Sequence, residues 1–221
     1  LCSEYGFYVI AEADLESHGV QDQYGGGTEK TFSQLAEDPA YREAVIDRSR
    51  RNVIRDKNQC CVIFWSLGNE SGMGTNIEEA GRWVKQYDPT RLVHYESCHF
   101  QPEGHVKDES MLDVESHMYA STQQIDEYFA APGEKKPFIQ CEFVHAMGNG
   151  PGDIEDYMQQ IYKYDGFCGG FVWEWCDHAT YEGRAEDGRE MYHYGGDAGE
   201  YPHDGNFCMD GLVFPDRRPH E

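Results

Sequence analysis

Two glutamates could do chemistry in this chain, because each ends an apolar run that is typical of a buried strand. Glu70 closes the segment Trp65-Ser66-Leu67-Gly68-Asn69-Glu70, and Glu142 follows Phe138-Ile139-Gln140-Cys141. A carboxylate contributes little to packing at the C-terminal end of a buried strand, whereas in a parallel barrel that end is where active sites are built. Two such carboxylates on strands that face each other across a barrel mouth are what glycoside hydrolysis requires.

The two glutamates are predicted to need opposite surroundings. A general acid must hold a proton at working pH, so Glu70 is expected to be partly buried beside a like charge, with Asn69 placed to bind a sugar hydroxyl. Glu142 is expected to be ionised so that it can attack the anomeric carbon. A retaining mechanism then predicts carboxyl groups about 5–5.5 Å apart. The structural alternative for Glu70 is that it only caps a loop at the end of its strand.

A third acidic segment, Glu12-Ala13-Asp14-Leu15-Glu16-Ser17-His18, follows the apolar run Tyr8-Val9-Ile10-Ala11. Glu16 and His18 alternate in a strand-like segment, so both side chains can point to one side. Together with Glu70 they would suit a hard divalent cation that keeps some of its waters. A lone Glu-x-His pair is otherwise common on protein surfaces.

Polar and aromatic side chains cluster at the other predicted strand ends. An aromatic ring can lie against the C–H face of a sugar, which makes Tyr119, Trp173 and Phe207 candidates for substrate contact, whereas Trp175 is predicted to be core. Four histidines are candidates for the same pocket, of which His145 is the best supported: His117, His145, His193 and His203.

Composition narrows the class of partner. The 221 residues contain 18 basic and 41 acidic side chains, a formal net charge of −23, which disfavours nucleic acid and anionic membranes. The eight cysteines show no regular spacing and predict reduced, buried thiols, which are typical of a cytoplasmic protein. No apolar run reaches the length of a membrane span. The first residue is not Met, which leaves a signal peptide open.

Strand-like runs alternate with amphipathic helices, a pattern that predicts parallel strands joined by right-handed crossovers. One helix is expected to open at Asp38-Pro39, and the segment between Tyr95 and Val114 lacks a helical period. The fold class is therefore α/β, a (β/α)₈ TIM barrel, with six of its eight strands in this chain. The predicted strands are Phe7–Ala11, Cys61–Ser66, Leu92–Tyr95, Val114–Tyr119, Phe138–Glu142 and Gly170–Trp175.

Four motifs resemble the catalytic domain of the large bacterial β-galactosidases of glycoside hydrolase family 2, and the similarity runs over essentially the whole chain. The most specific are Trp-Ser-Leu-Gly-Asn-Glu-Ser-Gly at 65–72 and Cys-Glu-Phe-Val-His-Ala-Met-Gly-Asn at 141–149. Gly-Gly-Phe-Val-Trp at 169–173 and Phe-Cys-Met-Asp-Gly-Leu-Val-Phe at 207–214 are nearly as specific.

The resemblance implies a role for each matching residue. Glu70 would be the acid/base, Glu142 the nucleophile, and Glu16, His18 and Glu70 the ligands of Mg²⁺. The residues that would contact substrate are Asn69, Tyr119, His145, Trp173, Phe207 and Asp210. A sodium or potassium ion is implied near Phe207, but Asp210 departs from the Asn of the best-known members, as His203 and Ala11 depart from an Asn and an Asp.

The resemblance also implies a TIM-barrel domain over residues 1–221 that holds strands three to eight, with an irregular region in place of the fifth helix. It further implies a homo-oligomer built from a longer multidomain chain that acts on a neutral β-galactoside. The alternatives are another family 2 glycosidase, such as a β-glucuronidase or β-mannosidase, a sugar-binding module without catalysis, and an inert segment. A glucuronidase must hold a substrate carboxylate, yet the strand ends offer acids and aromatics.

Overall fold

A computed structural model describes residues 1–20, 33–148 and 152–220, so Asn149, the last residue of the second motif, lies outside the described residues. The chain forms two compact units, Leu1–Ser116 with Lys136–Phe138, and His117–Lys135 with Ile139–Glu221. All six predicted strands are present within a few residues of their expected bounds. The strands are β1 Val9–Glu12, β2 Val62–Ser66, β3 Leu92–His94, β4 Glu115–Met118, β5 Phe138–Phe143 and β6 Phe167–Val172.

The first unit contains a parallel sheet in the order β1-β2-β3. Ala11 lies beside Trp65 and Trp65 beside Val93, so the centre of the sheet is an apolar row. Helices return the chain between these strands, as parallel pairing requires. They are Gln34–Glu37, Arg42–Asp56 and Thr75–Tyr87, and a further short helix, Cys2–Tyr5, precedes β1.

The predicted helix start at Asp38-Pro39 is confirmed, although it opens a 3₁₀ turn. The Asp38 side chain accepts a hydrogen bond from the Ala40 backbone N–H at 2.8 Å, and the 3₁₀ helix Pro39–Tyr41 leads into Arg42–Asp56. Within that helix Val45, Ile46 and Val53 are buried. Ile54, the next apolar residue of this helix, is 46% exposed, so the buried face is narrower than the apolar pattern of the sequence.

Asp88 ties the end of the helix Thr75–Tyr87 to the sheet. Burial alone would raise the pKa of Asp88, but hydrogen bonds from Thr90, Arg91 and Trp65 outweigh it and hold that pKa well below its usual range. The Trp65 indole N–H donates to Asp88 Oδ2 at 3.0 Å, and Arg91 Nη1 lies 2.6 Å from the same oxygen. Asp88 is therefore a buried, ionised cross-link.

The segment between β3 and β4 follows the prediction. Residues 95–114 hold one short 3₁₀ helix, Glu96–His99, and no α-helix. His105 fastens this segment to its neighbours, since its Nε2 lies 2.7 Å from Glu78 and its Nδ1 lies 3.5 Å from Glu37.

The second sheet has the order β4-β5-β6. The helix Thr122–Ala130 opens with a complete capping box formed by Ser121 and Gln124, and the helix Ile154–Lys163 precedes β6. No residue of Ile154–Lys163 is fully buried, so this amphipathic helix packs only partly on its neighbours. An antiparallel hairpin, β7 Thr180–Arg184 and β8 Glu190–His193, was not predicted, because its strands are short and charged.

The sixth strand begins three residues earlier than predicted, because the buried ring of Phe167 starts it. It ends at Val172, and the chain beyond it pairs with the segment 210–213 instead. The Glu174 N–H donates to the Asp210 carbonyl at 2.9 Å, and the Leu212 N–H donates to the Glu174 carbonyl at 3.0 Å. This pairing brings two distant motifs together.

Two predictions of burial are wrong. Trp175, predicted to be core, is 64% exposed, because the alternation along this segment turns the neighbouring Cys176 inward, where it pairs with Val213. All eight cysteines lie in the described ranges and are free thiols, but only Cys98 and Cys176 are buried. Among the described helices, none combines the length and hydrophobicity needed to cross a membrane.

Candidate active site

The first unit gathers Glu16, His18, Asn69 and Glu70 at the ends of β1 and β2. Glu16 and Asn69 form a parallel bridge beyond the strands, in which the Asn69 backbone N–H donates to the Leu15 carbonyl at 2.9 Å. The Asn69 side-chain amide also donates to Glu16 Oε2 at 2.6 Å. The bridge is close because Gly68, with φ +143°, presents no side chain to Leu15.

Glu70 is partly buried and lies beside both signs of charge. Burial raises the pKa of Glu70; the nearby His18 acts in the opposite direction, and the charge of Glu16 raises it further, leaving a net increase. His18 Nδ1 lies 2.8 Å from Glu70 Oε2. The Glu70 backbone N–H donates to Glu96 Oε1 at 2.7 Å, which fixes the turn that carries the carboxyl group. These surroundings suit a group that must hold a proton.

One ligand atom each from Glu16, His18 and Glu70 lies within 4.8 Å of the other two. Two carboxylates and an imidazole form a donor set that a divalent cation accepts, and the exposed Glu16 and His18 leave room for water ligands. The residues therefore fit Mg²⁺.

The second unit holds Glu142 beside Tyr119. The Tyr119 hydroxyl donates to Glu142 Oε2 at 2.7 Å, and the Tyr119 backbone N–H donates to the Glu142 carbonyl at 2.8 Å. A hydroxyl that donates to a carboxylate favours its ionised form and fixes its orientation.

Backbone strain marks these strand ends. Glu70, Tyr119 and Val144 are non-glycine residues with φ of 37°, 51° and 49°. Positive φ turns the chain sharply and is costly for residues with a Cβ. These turns come at the ends of three strands, where both candidate catalytic glutamates lie.

His145 connects Tyr119 to the remaining predicted substrate contacts. Its ring centroid lies 6.0 Å from that of Tyr119 and 6.2 Å from that of Phe207, in an edge-on arrangement with the latter. Its Nε2 lies 3.4 Å from Asp210 Oδ2, and the Trp173 indole N–H donates to the same oxygen at 3.1 Å. The six predicted residues of this unit thus form one connected group.

Sequence reasoning missed Glu174, which follows Trp173 at the end of an apolar run. Burial, contact with the Asp210 side chain and other nearby acids raise the pKa of Glu174 to about 7, while His178 opposes this. The sequence did contain a signal for Glu174, because it is a carboxylate that follows an apolar run, as Glu70 and Glu142 do. The same pattern describes Glu96, which is buried and accepts the hydrogen bond of the Glu70 N–H.

Two of the other candidate histidines lie elsewhere in the second unit. His193 is on the hairpin strand β8, 3.6 Å from Glu182, and His203 is in a loop, where its Nδ1 accepts the Gly205 N–H at 3.2 Å. Neither is in contact with the group around Glu142 described above. His117 lies in β4, with its carbonyl accepting a bond from the Cys141 thiol at 3.3 Å.

Comparison with known proteins decides the family. A family model described as "Glycosyl hydrolases family 2, TIM barrel domain" matches residues 1–221. The chain belongs to this family. Its fold is accordingly the TIM barrel expected from the alternation of strands and helices.

The relatives are much longer than this chain. It is 49% identical to a β-galactosidase of Actinobacillus pleuropneumoniae and 46% identical to one of Staphylococcus xylosus, with 100% of this chain covered in both cases. It spans 23% and 22% of their lengths. Among solved structures, a Ruminococcus gnavus β-glucuronidase matches 99% of this chain and 40% of its own, with TM-score 0.60 and 20% identity, a likeness of fold.

Proposed function

We propose that this chain carries the catalytic residues of a retaining β-galactosidase, which hydrolyses terminal β-D-galactosyl residues by double displacement. The observation that carries the proposal is the contrast between two strand-end glutamates. Glu70 has a raised pKa in partly buried surroundings, and Glu142 accepts a hydrogen bond from a tyrosine hydroxyl. A carboxyl group with a raised pKa and a carboxylate oriented by a hydroxyl donor are the arrangement that assigns an acid and a nucleophile.

In this reaction Glu70 donates its proton to the glycosidic oxygen while Glu142 attacks the anomeric carbon. The aglycone leaves, and the galactosyl group is held as an ester of Glu142. Glu70, now ionised, takes a proton from water, which attacks the same carbon and releases galactose and the free Glu142 carboxylate. Tyr119 keeps Glu142 Oε2 oriented through its 2.7 Å hydrogen bond.

Magnesium is proposed as the cofactor, held by Glu16, His18 and Glu70. When bound, Mg²⁺ would supply positive charge beside the acid/base and so tune its acidity. The Asn69 side-chain amide donates a hydrogen bond to Glu16, which ties the residue before Glu70 to another proposed ligand. A sodium or potassium ion near Phe207 is the second proposed cation, at a site where Asp210 departs from the Asn of the family pattern.

The galactoside substrate is supported by the names of the two relatives and by the groups around Glu142. Trp173 and Phe207 are 41% and 59% exposed, which leaves their rings accessible to a sugar. The neighbouring Asp210 and Glu174 carboxyls share a proton and together still carry negative charge, which would repel a uronate. The full enzyme is proposed to be a longer multidomain chain that forms a homo-oligomer.

Alanine variants with azide as an external nucleophile test the two roles. Glu70→Ala should hydrolyse an alkyl galactoside about 10²–10⁴-fold more slowly but a dinitrophenyl galactoside far less so, because a good leaving group needs no acid. With azide it should yield the β-galactosyl azide. Glu142→Ala should hydrolyse neither substrate, and with azide it should yield the α-galactosyl azide. The surface variant Glu127→Gln is the control and should match the parent protein.

Identical behaviour of the two alanine variants would contradict the assignment. A preference of the parent protein for a β-glucuronide or β-mannoside over the galactoside would replace the proposed substrate while keeping the mechanism. An inactive intact protein would contradict the proposed function as a whole.

A further inference from the structure

Asp210 is a poor candidate for direct contact with a substrate, because its side chain is almost completely buried. The residue is 1% exposed, whereas Trp173, which it contacts, is 41% exposed. A buried carboxylate must be compensated by donors from the protein itself. The identity of those donors indicates what Asp210 does.

Two donors come from rings that are candidates for substrate contact. The Trp173 indole N–H donates to Asp210 Oδ2 at 3.1 Å. The Met147 backbone N–H donates to His145 Nδ1 at 3.3 Å, so Nδ1 is the unprotonated nitrogen and the ring proton is on Nε2. His145 Nε2, which carries that proton, lies 3.4 Å from Asp210 Oδ2, within ion-pair distance.

The third contact is the Glu174 carboxyl group. Asp210 Oδ1 is buried and accepts no bond from an N–H or hydroxyl donor among the described residues. Glu174 is in hydrogen-bond contact with the Asp210 side chain, and two carboxyl groups in contact hold together by sharing a proton. His178 Nε2, 3.3 Å from Glu174 Oε2, fixes Glu174 from the other side.

We propose that Asp210 is a positioning residue of the galactoside site: its Oδ2 accepts the Trp173 indole N–H and attracts His145 Nε2, and Glu174 supplies a third contact by donating its proton. The inference rests on the proposed function for the identity of the ligand and deepens it. Asparagine at 210 would keep one accepting oxygen for the two rings but would lose the negative charge, and its NH₂ group could not accept the proton of Glu174.

A double-mutant cycle separates positioning from substrate contact. In the intact protein, Asp210→Asn should lower kcat/KM for nitrophenyl galactoside roughly 10–100-fold, the size expected when charge-assisted hydrogen bonds are lost. In a background with both Trp173→Phe and His145→Phe, the same substitution should cost less than about threefold, because its partners are gone. If Asp210→Asn lowers kcat/KM by the same factor in both backgrounds, Asp210 contacts the substrate itself and the proposal is overturned.

A second double-mutant cycle measures urea unfolding and does not depend on enzyme activity. The effects of Asp210→Asn and Trp173→Phe on the free energy of unfolding should be non-additive. The matched control is Asp126→Asn, a carboxylate of the same unit that instead accepts hydrogen bonds from Lys163 Nζ and the Tyr164 hydroxyl. It should be additive with Trp173→Phe and change kcat/KM less than twofold. Additivity for Asp210 as well would contradict the proposed contacts.

Glu174 offers a second test that does not alter Asp210. A glutamine amide can replace a carboxylic acid as donor, so Glu174→Gln should retain roughly tenfold more kcat/KM than Glu174→Leu. Equal losses would refute the donor role of Glu174. If the parent protein is inactive but the unfolding cycle is non-additive, only the proposed function is contradicted. If the parent is active but both cycles are additive, only the positioning role of Asp210 is contradicted.

Discussion

Gly68→Ala should disturb both the folding and the metal affinity of the first unit. A Cβ at position 68 would lie 2.8 Å from the Leu15 carbonyl oxygen and 2.9 Å from Leu15 Cβ, at a φ of +143°. The backbone conformation alone should cost about 1–3 kcal/mol. Losing the Asn69 N–H bond to Leu15 adds about 1 kcal/mol, for a total of roughly 2–4 kcal/mol.

The displacement should also reach Glu16, the residue after Leu15. Moving one ligand relative to Glu70 opens the proposed Mg²⁺ site, and loss of such support typically costs about 10–100-fold in metal affinity. Urea unfolding of the intact protein measures the first effect, and the Mg²⁺ concentration for half-maximal galactosidase activity measures the second.

Gly133→Ala is the matched control, since Gly133 has φ +105° and its Cβ would meet nothing within 4 Å. It should carry a backbone cost without changing the Mg²⁺ requirement. The reasoning is refuted if the two alanine variants lose the same stability and keep the same half-saturating Mg²⁺ concentration.

Three further predictions concern individual carboxylates and their donors. Tyr119→Phe should lower kcat roughly 10–100-fold by removing the donor to Glu142, and unchanged steady-state kinetics would contradict the orienting role. Glu16→Gln should raise the half-saturating Mg²⁺ concentration about 10–100-fold; an unaltered metal titration would remove Glu16 from the ligand set. Asp88→Asn should destabilise by about 1.5–3 kcal/mol at pH 7. Because the pKa of Asp88 is lowered by folding, its stabilisation is present above about pH 4 and should fade as pH falls below that, so denaturant unfolding at pH 7 and pH 3 should show a narrowing gap.

The alternation of apolar runs and helical stripes was sufficient to predict the barrel fold. Burial of a continuous apolar run, such as Val62–Ser66, leaves few structures other than a central strand, and the caps at Asp38 and Ser121 are local chemistry. Boundaries were weaker: β6 moved by three residues because Phe167 extends its apolar run. The hairpin β7–β8 was missed because two short charged strands carry no hydrophobic period.

The candidate site could be located from sequence but not ranked. A glutamate after an apolar run describes Glu70 and Glu142, and it equally describes Glu96 and Glu174. Apart from the resemblance to the family motifs, only three-dimensional contacts separate them. Glu96 accepts the Glu70 N–H, whereas Glu174 depends on Asp210, which is 36 residues further along the chain. The pairing of residues 174–177 with 210–213 has no local signature and could not be predicted.

The left-handed backbone at Glu70, Tyr119 and Val144 has a consequence for directed evolution. Glycine and asparagine adopt positive φ at a lower energetic cost, so replacing these residues with either should remove about 1 kcal/mol or more of conformational strain. A library selected only for heat resistance would therefore enrich substitutions at these strand ends and lose the acid/base along the way. Thermostable variants of this domain are best sought by holding these three positions constant and varying the helices around them.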